Sequence, residues 1–432
     1  MRNILDFGAV GDGVTLNTGA IQAAIDAGGA VYIPAGVFVT GTLHLKSGGG
    51  LYLDHGAVLK ASHRRADYNA VDYCPQNRAY EQESMVGTHL ISAVEQEDVF
   101  IAGFGTVDGE SNFWVNGNHM DRHGDFYAMP PLESNRPGQM IFFAECKNVR
   151  IQDVRLKKAP FWHLFFHGCE NVQVRGLSIM GERRQWTNDG IDIDCCKNVT
   201  VSDCIIDTGD DAITLRANSA PLLHSDGICE NVVIENCVLT SYLDYGIRMG
   251  VGDGLIRNCM ISNIVIKDSL NGIGISCRYG PEGNGVSVEN IKLQNLTVEA
   301  HNAFEMRMSA SDSHPPFTEH RYMKDIDFDT VNVYCDRGSY LIGFDNSTVS
   351  SVSFRNMRMY FRGEDTENGR YRCNWIDVRD KKAAFYIRRA GDVVFENVTF
   401  EHAEGSDFVC DIMSESCEKV QLIRTNAVHK SL

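Results

Sequence analysis

A repeated line of sequence is the feature that most constrains how this chain can fold. The line reads CKNV at 146–149, CENV at 169–172, CKNV at 196–199 and CENV at 229–232. Each copy leads into residues that alternate between apolar and polar, which is typical of strands with one buried face. The copies recur at spacings of about 23 to 33 residues, and weaker ones continue to residue 398. The pattern therefore predicts an all-β fold, a parallel β-solenoid.

The rest of the sequence fits one such architecture. No stretch of the repeat region shows a long helical period, which argues against a sheet wound with helices. No Pro/Ser-rich or low-complexity tract marks a domain boundary, so residues 1–432 are predicted to form a single domain. Because the open end of a solenoid must be covered, we interpret residues 18–25 as a short amphipathic capping helix with Asn17 as its N-cap.

The composition of the chain limits which partners it can bind and where in the cell it is expected. The net charge of −17 disfavours nucleic acid and anionic membrane surfaces, and the chain lacks an apolar stretch of roughly 18 residues that would cross a bilayer. The fourteen cysteines lie in strand-like runs without C-x-x-C pairs, so we interpret them as small buried hydrophobic side chains. The N-terminus leads into ILDFG at 4–8 without an apolar signal region, which predicts a cytoplasmic location unless a signal was removed beforehand.

Two acidic motifs lie one predicted coil apart. The first is TNDGIDID at 187–194 and the second is DTGDDAI at 207–213, so that 21 residues separate Asp189 from Asp210. If one coil takes about that many residues, the two aspartates lie on neighbouring parallel strands, roughly 4.8 Å apart. Several carboxylates on one face of a rigid sheet suit the hydrolysis of a glycosidic bond, which requires one acid and one base. The structural alternative is that these aspartates cap turns.

These motifs resemble glycoside hydrolase family 28, the polygalacturonase and rhamnogalacturonase group. The resemblance also includes DFGAVGDG at 6–13, GFGTVDG at 103–109 and APFW at 159–162. It implies a right-handed parallel β-helix, inversion at the anomeric carbon, and no metal or other cofactor. By this resemblance Asp210 corresponds to the general acid, and Asp189 and Asp211 to the carboxylates that hold and deprotonate the attacking water. Asn188 occupies the position beside Asp189 where the group shows Thr or Asn.

The chain also departs from the family pattern. The Gly-His-Gly element of the family falls near DYGIRMG at 244–250, where Asp244 or Tyr245 takes the place of the histidine. The Arg-Ile-Lys element, which holds a uronate carboxylate, is Gly-Ile-Ser at 274–276. A replacement would have to come from another arginine, since Arg can chelate a carboxylate bidentately. The residues predicted to bind substrate are Asn188, Arg216, Tyr245, Arg248 and Arg278, with Arg307 as a further source of charge.

The sequence thus predicts an inverting glycoside hydrolase that cleaves α-glycosidic bonds in pectin-derived oligosaccharides of galacturonide or rhamnogalacturonan type. A cytoplasmic location would favour short imported chains and exo-action. The missing basic residues favour one alternative, a hydrolase of a neutral α-linked sugar on the same fold. Another is a Ca²⁺-dependent polysaccharide lyase, with Asp189, Asp192 and Asp194 around the ion and Arg248 or Arg278 as base. The third is a carbohydrate-binding solenoid without catalysis, and the sequence leaves the oligomeric state open.

Overall fold

The computed structural model describes residues 1–78, 87–114, 136–363, 376 and 378–432. These residues form two compact units. The first unit comprises 1–78, 87–114, 136–210 and 219–226, and the second comprises 211–218, 227–363, 376 and 378–432. Strands pair in parallel in both units, with Leu164 opposite Ile191 in the first unit and Gly274 opposite Glu305 in the second. The predicted parallel β-helix class is confirmed, while the single domain over 1–432 stays a prediction.

Short strands and a few helical turns make up the first unit. Its strands are β1 Arg2–Asn3, β2 Asp12–Leu16, β3 Ala30–Ile33, β4 Gly36–Thr40, β5 Leu43–His44, β6 Gly50–Leu53, β7 Ala57–Ala61, β8 Ile91–Val94, β9 Glu97–Gly103, β10 Thr106–Asp108, β11 Ile141–Ala144, β12 Lys147–Gln152, β13 Arg155–Lys157, β14 Leu164–His167, β15 Glu170–Arg175, β16 Ser178–Met180, β17 Ile191–Asp194, β18 Lys197–Ser202 and β19 Ile205–Thr208. Its helices are α1 Thr18–Asp26 and α2 Ser111–Trp114, and its 3₁₀ turns are Ile4–Phe7, Arg65–Asp67 and Pro75–Arg78.

Longer strands dominate the second unit. They are β20 Ile213–Ala217, β21 Ile228–Glu235, β22 Val238–Ser241, β23 Tyr245–Gly252, β24 Leu255–Arg278, β25 Ser287–Ser309, β26 Arg321–Arg337, β27 Ser339–Ile342, β28 Ser347–Phe361, β29 Ala383–Arg388, β30 Asp392–His402, β31 Cys410–Glu415, β32 Lys419–Ile423 and β33 His429–Ser431, with one 3₁₀ turn at Arg379–Lys381. Throughout the described ranges, no helix combines the length and the apolar character needed to span a bilayer.

The repeated Cys-x-Asn-Val line places equivalent residues on top of one another in successive coils. In the first unit, Val172 of β15 pairs with Val149 of β12 and with Val199 of β18, and all three side chains are buried. The asparagines form a ladder at the bend: the Asn171 amide donates to the side chain of Asn148 at 3.1 Å, and Asn198 donates to Asn171 at 3.1 Å. This stacking of like residues explains why the repeats predict the fold, because each coil buries its inner face against its neighbours.

The N-terminal helix forms where it was predicted, but Asn17 does not cap it as expected. The Asn17 side chain makes no hydrogen bond to the helix N-terminus. Its amide instead bonds the loop before the helix, accepting from the Val10 N–H at 2.7 Å and donating to the Thr15 carbonyl at 2.6 Å. Ile21, Ala24 and Ile25 are buried, so the apolar face is used as the sequence pattern indicated.

In the second unit, four stacked strands place Arg248, Gly274, Glu305 and Tyr340 in one row. Arg248 of β23 pairs with Gly274 of β24, and Gly274 pairs with Glu305 of β25. Glu305 in turn pairs with Tyr340 of β27. Because neighbouring strands are about 4.8 Å apart, this row can bring side chains from several coils into contact.

Candidate active site

The two acidic motifs bring Asp189 and Asp210 together in the first unit. Asp189 precedes β17, Asp210 follows β19, and a carboxylate oxygen of each lies within 4.8 Å of one on the other. Asp189 is buried, whereas Asp210 is partly accessible. The two carboxyl groups are therefore neighbours, but both aspartates lie outside the strands and not on neighbouring parallel strands as the sequence predicted.

Asn188 fixes the turn that carries Asp210. Its side-chain oxygen accepts hydrogen bonds from the N–H of Gly209 at 2.8 Å and from the N–H of Asp210 at 3.0 Å. Its side-chain nitrogen donates to the Glu182 carbonyl at 2.8 Å, and the side chain is fully buried. Asn188 therefore organises the backbone around the candidate acid, and its buried amide is committed to the protein rather than to a ligand.

The neighbouring Thr187 makes the direct contact to the Asp210 carboxyl group. The Thr187 N–H donates to Oδ2 of Asp210 at 2.5 Å. The sequence motif included Thr187, but its side chain gave no reason to assign it a role, since the contact is made by its backbone.

His163 holds the backbone of Asp189 from the coil before. The His163 N–H and its ring Nδ1 both donate to the Asp189 carbonyl at 2.9 Å, and Nε2 accepts from the Ala159 N–H at 3.3 Å. Burial lowers the pKa of His163 to about 4, so the ring is neutral at neutral pH. Both nitrogens are thus used to orient the turn before β17.

The neutral His163 predicts a loss of stability in acid. The unfolded ring titrates near 6.5 and the folded ring near 4, so the unfolded chain binds one more proton between these values. Stability should therefore fall by about 1.4 kcal/mol per pH unit through that window on account of this residue. The His163→Asn variant keeps a donor for the Asp189 carbonyl but has no titrating ring. Between about pH 4 and 6.5 its urea unfolding should therefore take up one proton fewer than that of the wild type. His55→Asn, at an exposed position, should leave the slope of unfolding free energy against pH as it is in the wild type. If His163→Asn also shows the wild-type slope, His163 is not a neutral buried ring.

Asp211 is bound by backbone and cation within the second unit. Its Oδ1 accepts from the Tyr245 N–H at 3.2 Å, and its Oδ2 accepts from Arg248 Nη1 at 3.1 Å. Asp211 is fully buried and Arg248 is almost so. Burial alone would lower the pKa of Arg248, but the charge of Asp211 raises it above the usual value. Arg248 is thus an ion-pair partner of a candidate catalytic carboxylate, which does not fit the role of a proton-accepting base.

Tyr245 lies inside the protein. It is 0% exposed, and its hydroxyl donates to Oε2 of Glu305 at 2.5 Å while accepting from Arg307 Nη1 at 3.2 Å. Arg307 also donates to the Tyr340 hydroxyl at 2.8 Å and lies 3.4 Å from Glu305. Tyr245 therefore bonds a buried network instead of making the predicted contact with substrate. The charge of Arg307 lies in the same network and is not presented to a substrate either.

The departures at positions 245 and 274 are physically coupled. A Cβ atom built on Gly274 would lie 2.5 Å from the Cδ1 and Cε1 atoms of Tyr245. Real atoms do not approach that closely, so the absent side chain at 274 is what makes room for the tyrosine ring. The residue lost from the Arg-Ile-Lys element and the residue gained in the Gly-His-Gly element belong to one packing arrangement.

The two remaining predicted arginines differ in their surroundings. Arg278 donates to Ser309 Oγ at 3.0 Å and to the Pro315 carbonyl at 2.7 Å, and its guanidinium group stacks over Phe317 at 4.3 Å. It therefore belongs to a structural cluster with the segment after β25. Arg216 is buried on β20, close enough to Arg248 for the two charges to interact.

Comparison with known proteins gives the family. The model of the glycosyl hydrolases family 28 matches residues 30–336. The chain belongs to glycosyl hydrolases family 28. This confirms the resemblance and the prediction of a glycoside hydrolase, and it sets aside the lyase as the class of the protein.

Individual relatives of this family 28 chain carry more specific names. A probable polygalacturonase of Vitis vinifera is 29% identical, with 69% of this chain and 60% of the relative covered. An exo-poly-alpha-D-galacturonosidase of Dickeya chrysanthemi is 26% identical, with 69% and 56% covered. The structure of the Yersinia enterocolitica family 28 exopolygalacturonase shares the fold, with a TM-score of 0.73, 22% identity and 98% and 78% covered. The chain thus spans less than two thirds of the length of the curated relatives named here.

The predicted cytoplasmic location is wrong. The relatives carry the names of enzymes that act on polygalacturonate chains, polygalacturonases and an exo-poly-alpha-D-galacturonosidase, and this overturns the prediction. The inference from cytoplasmic location to short imported substrates is withdrawn with it.

Proposed function

We propose that this family 28 chain hydrolyses α-glycosidic bonds in pectin-derived oligosaccharides with inversion of configuration. The observation that carries the proposal is the fixed carboxyl group of Asp210 beside that of Asp189. The Thr187 N–H holds the carboxyl group, the Asp210 N–H donates to Asn188 and so fixes the backbone, and a carboxylate oxygen of each aspartate lies within 4.8 Å of one on the other. Neighbouring carboxylates favour retention of a proton on one of them, which a general acid needs.

The three aspartates take different roles in this mechanism. Asp210 protonates the glycosidic oxygen, and because its Oδ2 accepts the Thr187 N–H, we assign the transferred proton to Oδ1. Asp189 and Asp211 hold and deprotonate the attacking water, which adds to the anomeric carbon from the face opposite the leaving group. The ion pair with Arg248 suits a carboxylate that stays charged in Asp211.

The substrate we propose is a galacturonide or rhamnogalacturonan oligosaccharide, attacked from a chain end. The names of the Vitis and Dickeya relatives support galacturonide substrates, and the Dickeya name supports exo-action. Endo-acting relatives also occur among the matches, so the product pattern needs its own measurement. The second candidate is a neutral sugar in the cleavage subsite. The Tyr245 ring fills the space beside Gly274, and Ser276 is uncharged, so neither position provides a cation for a uronate carboxylate.

Proton NMR of the first product tests mechanism and substrate together. A trigalacturonide, a rhamnogalacturonan oligosaccharide and a neutral α-galactoside of matched length are digested in buffer containing a chelator. We expect the β-anomer to appear first from an α-linked acidic substrate, at a rate that the chelator does not change. Initial formation of the α-anomer would contradict inversion, and an unsaturated product would contradict hydrolysis. Faster release from the neutral substrate would favour the second candidate.

A further inference from the structure

A buried arginine outside the recognised motifs lies against the first acidic motif. Arg136 is only 3% exposed, and its Nη1 donates to Oγ1 of Thr187 at 3.1 Å. Its guanidinium carbon lies 4.8 Å from the ring centre of Phe161. Burial lowers the pKa of Arg136 to about 10, so the group remains charged at neutral pH. Among the residues that the structure describes, no carboxylate pairs with it and its Nη2 makes no hydrogen bond.

This arrangement is costly, which calls for a reason. A buried charge is normally paired with an opposite charge, and a buried donor is normally bonded. The one hydrogen bond that Arg136 makes to a described residue is donated to a threonine hydroxyl. Such costs persist mainly where the surroundings serve a function.

Thr187 itself adopts an unfavourable backbone conformation. Its φ angle is 57°, in the left-handed region that a β-branched residue rarely occupies. Val251 and Thr330 share this conformation, so strain alone does not single Thr187 out. What distinguishes Thr187 is the direction of its N–H, which points at Oδ2 of Asp210 at 2.5 Å. Its hydroxyl donates to the Trp186 carbonyl at 2.5 Å and therefore has lone pairs left for Arg136.

We propose that Arg136 is a positioning residue that holds Thr187 in this conformation, so that the Thr187 N–H fixes the Asp210 carboxyl group. The chain of contacts runs from the guanidinium to the hydroxyl, through one residue of strained backbone, to the carboxylate. Without the bond to Arg136, Thr187 relaxes towards ordinary β or α backbone and its N–H turns away from Asp210. The inference rests on the proposed role of Asp210 as general acid.

Kinetics of four variants test the positioning role. Arg136→Met and Thr187→Val each remove one side of the contact while keeping similar shape, and Arg136→Lys keeps a donor. Arg155→Met, at an exposed arginine that bonds the Phe104 carbonyl, is the matched control. We expect Arg136→Met and Thr187→Val each to lower kcat by about tenfold to a hundredfold, since misplacing a catalytic group by about 1 Å costs that much. KM should change by less than about twofold, because no substrate contact is removed.

Three further measurements distinguish a positioning role of Arg136 from a general contribution to the stability of the fold. The double variant should be no worse than the poorer single variant, because both remove the same contact. Arg136→Lys should recover most of the loss. The alkaline limb of the pH profile of kcat should move to higher pH in Arg136→Met, since an N–H donated to a carboxylate favours its charged form. Additive losses, no recovery by lysine and an unmoved limb would together overturn the proposal.

A reading that does not depend on activity completes the test. The Thr187 amide proton, followed by ¹⁵N-resolved NMR, should move upfield in both Arg136→Met and Asp210→Asn, and stay in place in Arg155→Met. An unchanged Thr187 amide in Arg136→Met would overturn the positioning role. If the wild-type chain cleaves none of the pectin oligosaccharides but the amide responds as expected, the proposed substrate fails while the contact from Arg136 to Asp210 stands.

Discussion

Replacement of Asp210 by asparagine is expected to abolish measurable hydrolysis and leave the fold intact. An amide cannot deliver a proton to the leaving oxygen, and loss of a general acid typically costs about two to four orders of magnitude in rate. The asparagine oxygen can still accept the Thr187 N–H, and Asn188 bonds the backbone of residue 210 whatever its side chain. The measurement is kcat on the best pectin oligosaccharide, with thermal unfolding recorded in parallel.

Asp203→Asn provides the matched control for this variant. Asp203 lies in the same segment but is exposed, and its ion pair with Arg175 is a surface contact of small energetic value. It should retain full activity and an unchanged unfolding temperature. If Asp210→Asn keeps more than about a tenth of wild-type turnover, far above the loss a missing general acid should cause, the assignment of Asp210 is wrong.

The fold could be predicted because its determinants are local and repeated. Each coil carries its own Cys-x-Asn-Val line and its own alternating strand, so the same inference is supported many times along the chain. The ladder of Asn148, Asn171 and Asn198 is the direct structural counterpart of that repetition. The role of Asn17 was mistaken for a similar reason: helix-capping preference is local, but a loop contact to Val10 competes for the same side chain.

The candidate site was predictable only where a motif carries it. Asp189, Asn188 and Asp210 lie in short segments of recognisable spacing, and the structure brings them together. Arg136 reaches that site from 51 residues away in the sequence, from a segment without repeat or motif. No periodicity marks such a residue, because its importance arises from burial and from a single contact in the folded chain.

Tyr245 shows how a substitution can be misread one residue at a time. Considered alone, a tyrosine in place of the family histidine indicates a substrate contact, and a glycine in place of the arginine indicates lost affinity for a carboxylate. Together they are explained by space, since the ring occupies the volume beside Gly274. The only sequence signal was that both family elements had changed, and their contact across neighbouring strands was needed to connect them.

Replacement of Glu305 by alanine is expected to destabilise the second unit strongly. The variant removes the carboxylate that faces Arg307 at 3.4 Å and accepts the Tyr245 hydroxyl, at a site where all three side chains are buried. Burial alone would lower the pKa of Arg307, but Tyr245, Tyr340 and Glu305 raise it above its usual value, so the charge persists. Breaking a buried ion pair from one side costs about 3–5 kcal/mol. Urea unfolding at neutral pH measures the loss.

A double variant separates the missing charge from the missing volume. Glu305→Leu with Arg307→Met replaces the pair by apolar side chains of similar size, and such replacements are often neutral because no charge is left buried. The double variant should therefore be more stable than Glu305→Ala alone. Glu401→Ala, which breaks the exposed pair with Arg358, should cost much less than Glu305→Ala, because solvent screens the charges of an exposed pair. If Glu305→Ala costs no more than this control, the buried network does not hold Tyr245 in place, and Tyr245 again becomes a candidate for substrate contact.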